Sequence, residues 1–233
     1  MTKKQQTAAK KPDRILYVEG GGDHNTILMN DCRRAFNKLF HDAGISQKPT
    51  VRPKGGREQA FKAFRKEHAI GANHTWLLVD AEELAPALKP GDAADPWAHV
   101  KARQGDQWER PIGATDEQLH LMNVTMETWL LCDREALLKH FKGRLDISKL
   151  PADNASLETK PKETIYKALD AAITRQSKGE YDKGQDSFNA LQHVKALKLR
   201  RTLFWADRFL LEMGAPIIKE GSASRKPEPV TSP

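Results

Sequence analysis

"RILYVEGGGDHN", residues 14–25, drives an apolar run into a carboxylate and three consecutive glycines. Ile15, Leu16, Tyr17 and Val18 follow one another without a polar break, the pattern of a buried strand. The glycines permit left-handed backbone and a sharp exit. Asp23 or Asn25 can then cap a helix whose apolar face is Ile27, Leu28, Cys32, Ala35, Phe36 and Leu39, stopped at "HDAG" (41–44). The segment therefore reads as strand, tight turn and helix. A P-loop needs GxxxxGK followed by Ser or Thr, and a dinucleotide turn needs GxGxxG; neither spacing is present. The glycines serve either as a flexible turn or as a point of close backbone approach.

Working outward, the same pattern recurs. "KPTVRPKGG" (48–56) reads as an edge-type strand because of its prolines, and it leads into the helix "REQAFKAFRKEHAIG" (57–71). "HTWLLVDAEE" (74–83) is a second apolar run that ends in acid, and "LHLMNVTM" (119–126) reads as a fourth strand before the helix "ETWLLCDREALLKHF" (127–141). Strands alternating with helices imply an α/β fold with a mostly parallel four-stranded sheet, whose strand carboxyl ends share one edge where ligands collect. Glu19 and Asp80 both stand at such ends. Residues 13–143 are expected to form this domain, with 85–118 as a long loop insertion. Residues 144–220 are expected to form a helical extension, and the tails 1–12 and 221–233 to be disordered.

The formal net charge is +7, but Lys3, Lys4, Lys10 and Lys11 supply four of those charges and residues 221–233 one more. The folded body keeps +2, so a polyanionic partner has to be argued from local clusters. No apolar run approaches the ~18 residues of a membrane span, and the amino terminus lacks the apolar centre of a secretion signal, so no membrane partner and a cytoplasmic location are expected. Cys32 and Cys132 lie in apolar segments without CxxC spacing, as reduced core thiols do.

Two carboxylates converging at strand ends repel unless a cation lies between them. Asp80 and Glu82 are two apart and face the same side of an extended segment, offering hard oxygen ligands for Mg²⁺ or Mn²⁺; Glu83 faces the other way. The alternative is that Glu82 and Glu83 cap a turn. "RPKGGR" (52–57) supplies Arg52, Lys54 and Arg57 as candidates to hold a nucleic-acid phosphate, while Lys162, Lys183 and the basic residues from Lys195 to Arg201 read as solvated helix surface. His24 and His120 have no zinc-site spacing. Trp76, Trp129 and Trp205 read as core. Trp97 and Trp108, in the insertion, are candidates for stacking on bases or lining a lid.

"VEGGGD" and "VDAE", in this order and strand context, resemble the topoisomerase–primase (Toprim) superfamily over roughly residues 13–130. That superfamily carries a glutamate in a glycine-rich turn after its first strand and a DxD-type pair after its third, so Glu82 departs from the usual aspartate. "HLMNVTMETWLLCDREALLKHF", "KPKETIYKAL" and "YDKGQ" are further similar to a small bacterial Toprim family of uncharacterised proteins, often encoded beside an ABC-type or SMC-like ATPase and suspected of defending against phage. The resemblance implies a metal-dependent nuclease of DNA or RNA, the effector of an ATPase-linked antiviral system, with Glu19 as general base or metal ligand and Asp80 and Glu82 holding Mg²⁺ or Mn²⁺. Glu127 either completes the carboxylate cluster as a catalytic residue or is simply a first-turn helix acid. Tyr17, Tyr166 and Tyr181 lie in no strand-passage module, which disfavours a topoisomerase. The alternative is a non-catalytic adaptor that binds the ATPase through its helical half, and the sequence is compatible with an oligomer.

Overall fold

The computed structural model describes residues 13–22, 25–71, 74–86, 88–89, 92–152, 156–173 and 181–218. Strands β1 (Ile15–Glu19), β2 (Thr50–Lys54), β3 (Thr75–Asp80) and β4 (Leu119–Met122) form one all-parallel sheet in the order β2-β1-β3-β4. In register, Glu19 stands opposite Lys54, Val18 opposite Leu78 and Asp80 opposite Met122. The carboxyl ends of β1 and β3 are therefore neighbours. All of β3 and the apolar part of β1 are buried, which is why both read as unbroken apolar runs. Edge strand β2 alternates exposed and buried residues and accommodates Pro53, which has no N–H to donate to a ladder.

Helix α1 (Thr26–Asp42) starts where the Asn25 side chain accepts the Leu28 N–H at 3.1 Å. Asp23, the other candidate cap, lies outside the described residues, as does His24. Cys32, Ala35, Phe36, Leu39 and Phe40 form the buried face. Ile27, expected on it, is 69% exposed. It precedes Phe36 by nine residues, two and a half helical turns, and so faces the opposite side. Gly44, at φ 72°, ends the helix within "HDAG".

Helices cover both faces of the sheet. Helices α2 (Arg57–Ala69) and α3 (Pro96–Ala102) pack over Tyr17, Leu77, Val79 and Leu121 through Phe61, Phe64, Trp97 and Val100. Among its described residues, the 85–118 segment contains a helix and packs Ala85, Trp97, Val100, Trp108 and Ala114 into this layer. Trp97 and Trp108 are buried, and Trp108 stacks on Phe61 with ring centroids 4.3 Å apart, so neither ring is available to a base. On the other face, Phe36 and Phe40 of α1 meet Phe209, whose ring also stacks on Trp129 at 5.9 Å.

The run after β4 divides into α4 (Met126–Leu131) and α5 (Arg134–Phe141), because the Asp133 side chain caps a new helix by accepting the Ala136 N–H. Helices α6 (Lys162–Ala172), α7 (Gln185–Leu191), α8 (Ala196–Thr202) and α9 (Phe204–Glu212) follow. Leu16, Phe36, Trp129, Phe188 and Phe209 belong to one apolar cluster, so the expected extension from residue 144 shares the core of the sheet domain. The tails 1–12 and 221–233 lie outside the described residues. Cys32 is buried, and burial followed by the neighbouring Asp133 pushes the Cys132 thiol up to about 12. Among the described residues no helix is long and apolar enough to cross a membrane.

Two of the glycines after β1 are required by close packing. Gly21 has φ 84°, and a Cβ there would lie 2.8 Å from Cβ of Pro53; at Gly20, φ 111°, it would lie 2.9 Å from the Phe188 ring. Gly21→Ala is expected to destabilise the protein by about 1–3 kcal/mol in urea unfolding, from left-handed strain and overlap together. A loss under ~0.5 kcal/mol would contradict this packing.

Helix α9 supplies a pH test. Its Phe204 and Trp205 N–H groups donate to Glu158 at 2.8 and 3.0 Å, yet burial, opposed by these two bonds, pushes the Glu158 carboxyl up to about 7 from 4.5. The folded state thus binds this proton more tightly than the unfolded chain. Its contribution to stability is complete below about pH 4.5 and is lost as pH rises through about 7. Urea midpoints of the wild type are expected to fall more steeply across that window than those of Glu158→Gln; parallel curves would refute the assignment.

Candidate metal centre

The carboxyl edge of the sheet gathers three acids. One oxygen from each of Glu19, Asp80 and Glu82 lies within 4.8 Å of the others. Strand pairing sets the first two, since β1 and β3 run side by side and end together. Glu82 arrives by a different route from the one its spacing suggests. β3 stops at Asp80, and Glu82 adopts a left-handed φ of 67°, held by its N–H donating to the Val124 carbonyl at 2.8 Å. A backbone kink rather than strand alternation turns its carboxylate toward the other two. Glu83 is exposed and pairs with Arg103 at 3.5 Å.

Each acid has its own anchor. Glu19 Oε2 accepts the Asp80 N–H at 3.1 Å and the Arg57 guanidinium at 3.4 Å. Asp80 Oδ1 accepts the Met126 N–H at 2.9 Å, and Oδ2 lies 3.1 Å from the Thr125 hydroxyl and 3.9 Å from Lys183 Nζ. Glu82 is ion-paired with Lys162. Burial, then the charges of Glu19 and Glu127, holds the Asp80 carboxyl well above the usual carboxylate range against the pull of Lys183. Burial likewise raises Glu19, although Arg57 and the Asp80 N–H oppose it. At Glu82 burial acts upward, but Lys162, with Lys183 and Arg57, brings the net shift down.

Glu127 lies outside this triad. It is fully buried at the start of α4, and its oxygens face hydroxyls. Oε2 accepts from Thr125 at 2.5 Å and Tyr166 at 3.0 Å, while Oε1 accepts from Tyr181 at 3.0 Å and Ser187 at 2.9 Å. With both oxygens engaged, Glu127 is an anchor for the 181–187 turn and for α6.

The basic residues of "RPKGGR" do not converge on the acids as phosphate ligands. Arg57 forks onto both Asp106 oxygens at 2.7 Å, reaches Glu19 and the Asp80 carbonyl, and lies over the Trp108 ring, so its donors are committed inside the fold. Arg52 turns along the edge strand to the Tyr17 hydroxyl at 3.2 Å and to Glu67 at 3.8 Å. Lys54 sits over the Tyr17 ring, 5.8 Å from its centroid. Besides Arg57, the cations at the acids are Lys162 and Lys183, which local pattern assigns to solvated surface. Both stand over the Tyr166 ring, 5.9 and 5.4 Å from its centroid. Helical periodicity marks a lysine only as exposed and carries no sign of the acid it will face. His120 is buried in β4 against Phe209 and accepts from Arg208 at 3.2 Å, away from the acids.

A cleft of about 300 Å³ opens beside the triad, lined by Glu19, Gly20 to Gly22, Gly55, Asp80, Glu127, Lys183 and Phe188. Such a corner at the carboxyl edge of a parallel sheet is the ligand position of open α/β proteins. The chain belongs to the family described as "Domain of unknown function (DUF4276)", whose model matches residues 18–214. No curated protein and no solved structure matches it significantly.

The hydroxyl cage around Glu127 has a measurable worth. Tyr181→Phe removes one of the two donors to Oε1 and is expected to cost about 1–3 kcal/mol in urea unfolding. A cost below ~0.5 kcal/mol would mean that the buried carboxyl is not held by these hydroxyls.

Proposed function

We propose that this protein is a divalent-metal-dependent nuclease of Toprim type that hydrolyses phosphodiesters of DNA or RNA. The observation that carries the reading is the convergence of Glu19, Asp80 and Glu82 within 4.8 Å at the carboxyl edge, beside a glycine-lined cleft. The donor set fits: three carboxylates offer hard oxygens of the type that Mg²⁺ and Mn²⁺ prefer. Bound there, such an ion would supply Lewis-acid polarisation of a phosphoryl oxygen and a more acidic water. The chain's own groups supply the rest. Glu19 Oε2 is fixed by Asp80 N–H and Arg57, so Oε1 faces the work of orienting a water or taking its proton. The glycines let a sugar–phosphate backbone approach without side-chain obstruction, and Lys183 stands at the cleft to meet the phosphate.

The wider role follows from resemblance: a cytoplasmic effector subunit, paired with an ABC-type or SMC-like ATPase in defence against phage. A second reading, a non-catalytic adaptor of that ATPase, draws on the internal commitment of Arg57, which withdraws one cation of "RPKGGR" from any phosphate.

Purified wild type, Glu19→Gln and Asp80→Asn, each with and without the ATPase, should be incubated with plasmid, linear DNA and tRNA in Mg²⁺ or Mn²⁺. Wild type is expected to cleave at least one substrate, and each variant to lose about 10²-fold or more in rate. An inert wild type, with variants that still protect cells from phage, would establish the adaptor instead.

A further inference from the structure

The three cations around the triad are not equivalent. Arg57 is locked: its fork on Asp106, its bond to the Asp80 carbonyl and its position over Trp108 leave the side chain 11% exposed. Lys162 and Lys183 are compact charges on flexible stems. Lys162 is closed onto Glu82, both side chains being about one-fifth exposed. Lys183 reaches Asp80 only at 3.9 Å with its side chain 55% exposed. Their ammonium groups share the Tyr166 side chain: both stand over its ring, and Lys183 also hydrogen-bonds to it. The backbone beneath Lys183 is held in place, because its carbonyl lies against the Ser187 hydroxyl and both Ser187 and Tyr181 contact Glu127. The anchored turn thus presents a movable charge.

Two ammonium groups carry the same charge as one divalent cation. A divalent ion entering among Glu19, Asp80 and Glu82 would take over the oxygens that now face the lysines and release both charges into the cleft, where a phosphodiester is singly negative. We propose that Lys162 and Lys183 are resident counter-ions of the carboxylate triad, displaced by the divalent metal onto the non-bridging oxygens of the substrate's phosphate. This rests on the metal-centre reading above and adds to it the groups that bind substrate and the order of events: metal first, phosphate second. It also accounts for a site that is stable with its acids buried, since the lysines offset the repulsion that would otherwise hold the carboxylates apart.

The test separates this exchange from the metal reading itself. Calorimetry with Mn²⁺ on the full chain measures binding without requiring turnover. Lys162→Met and Lys183→Met are expected to tighten Mn²⁺ about tenfold, because each removes a charge that opposes the metal. They should weaken a labelled DNA or RNA oligonucleotide, measured with Ca²⁺ in place of Mn²⁺, by roughly tenfold for each charge-assisted hydrogen bond removed. The direct readout is amine acetylation of wild type followed by mass spectrometry: reactivity at Lys162 and Lys183 should rise several-fold on adding Mn²⁺ and fall again on adding oligonucleotide. The same lysines in Asp80→Asn should not respond. This footprint needs no lysine variant to fold. If Mn²⁺ binds wild type while the reactivity of both lysines stays unchanged, the exchange is wrong and the metal centre stands. If Mn²⁺ binds neither wild type nor the lysine variants, both fall.

Discussion

The guanidinium of Arg57 ties together the parts of this molecule that matter most. From the first turn of α2 it forks onto Asp106 in the 85–118 segment, touches Glu19 at the end of β1, and meets the Asp80 carbonyl at the end of β3. Asp106 is itself almost wholly buried, with its side chain 2% exposed, and a buried carboxylate is tolerable only with a partner of this kind. One planar, always-charged group therefore fixes the spacing of two strand ends, anchors the long connection against α2, and holds one Glu19 oxygen in place.

Around that clamp the acidic corner is built from linked groups. Glu19, Asp80 and Glu127 line the cleft, and Glu82 joins the first two from the turn after β3. The Thr125 hydroxyl sits between Asp80 and Glu127, and Glu127 meets tyrosine and serine hydroxyls. These contacts couple distant segments of sequence: β1, the turn after β3, the start of α4, α6 and the turn before α7. Helices beyond residue 144 are thus part of the site as well as of the core, and the corner cannot be complete in the sheet alone.

The sequence is most legible where burial is two-sided and local. The apolar runs ending at Glu19 and Asp80 announce central parallel strands, and the prolines of "KPTVRPKGG" announce the edge. It is least legible where a charge is chosen by its partner. Arg57 in a Gly-rich basic loop reads as a phosphate ligand until Asp106, 49 residues on, is seen to occupy it. Lys183 reads as solvated until Asp80 and Tyr166 appear beside it. Trp97 and Trp108 sit among prolines, glycines and charges, so nothing local signals that Phe61 will cover them.

The sequence by itself determined the parallel α/β framework and two of the three acids at its edge. Hydrophobic period and chain order suffice for that, because adjacent parallel strands must end on the same side. Tertiary structure alone decided the third acid's approach, the role of Glu127 and the identity of the cations. A left-handed kink at Glu82, four hydroxyls converging on Glu127 and two lysines resting on one tyrosine ring all depend on residues far apart in the chain meeting in space. The worth of a charge or a hydroxyl depends on what desolvates and faces it, and spacing along a sequence does not carry that information.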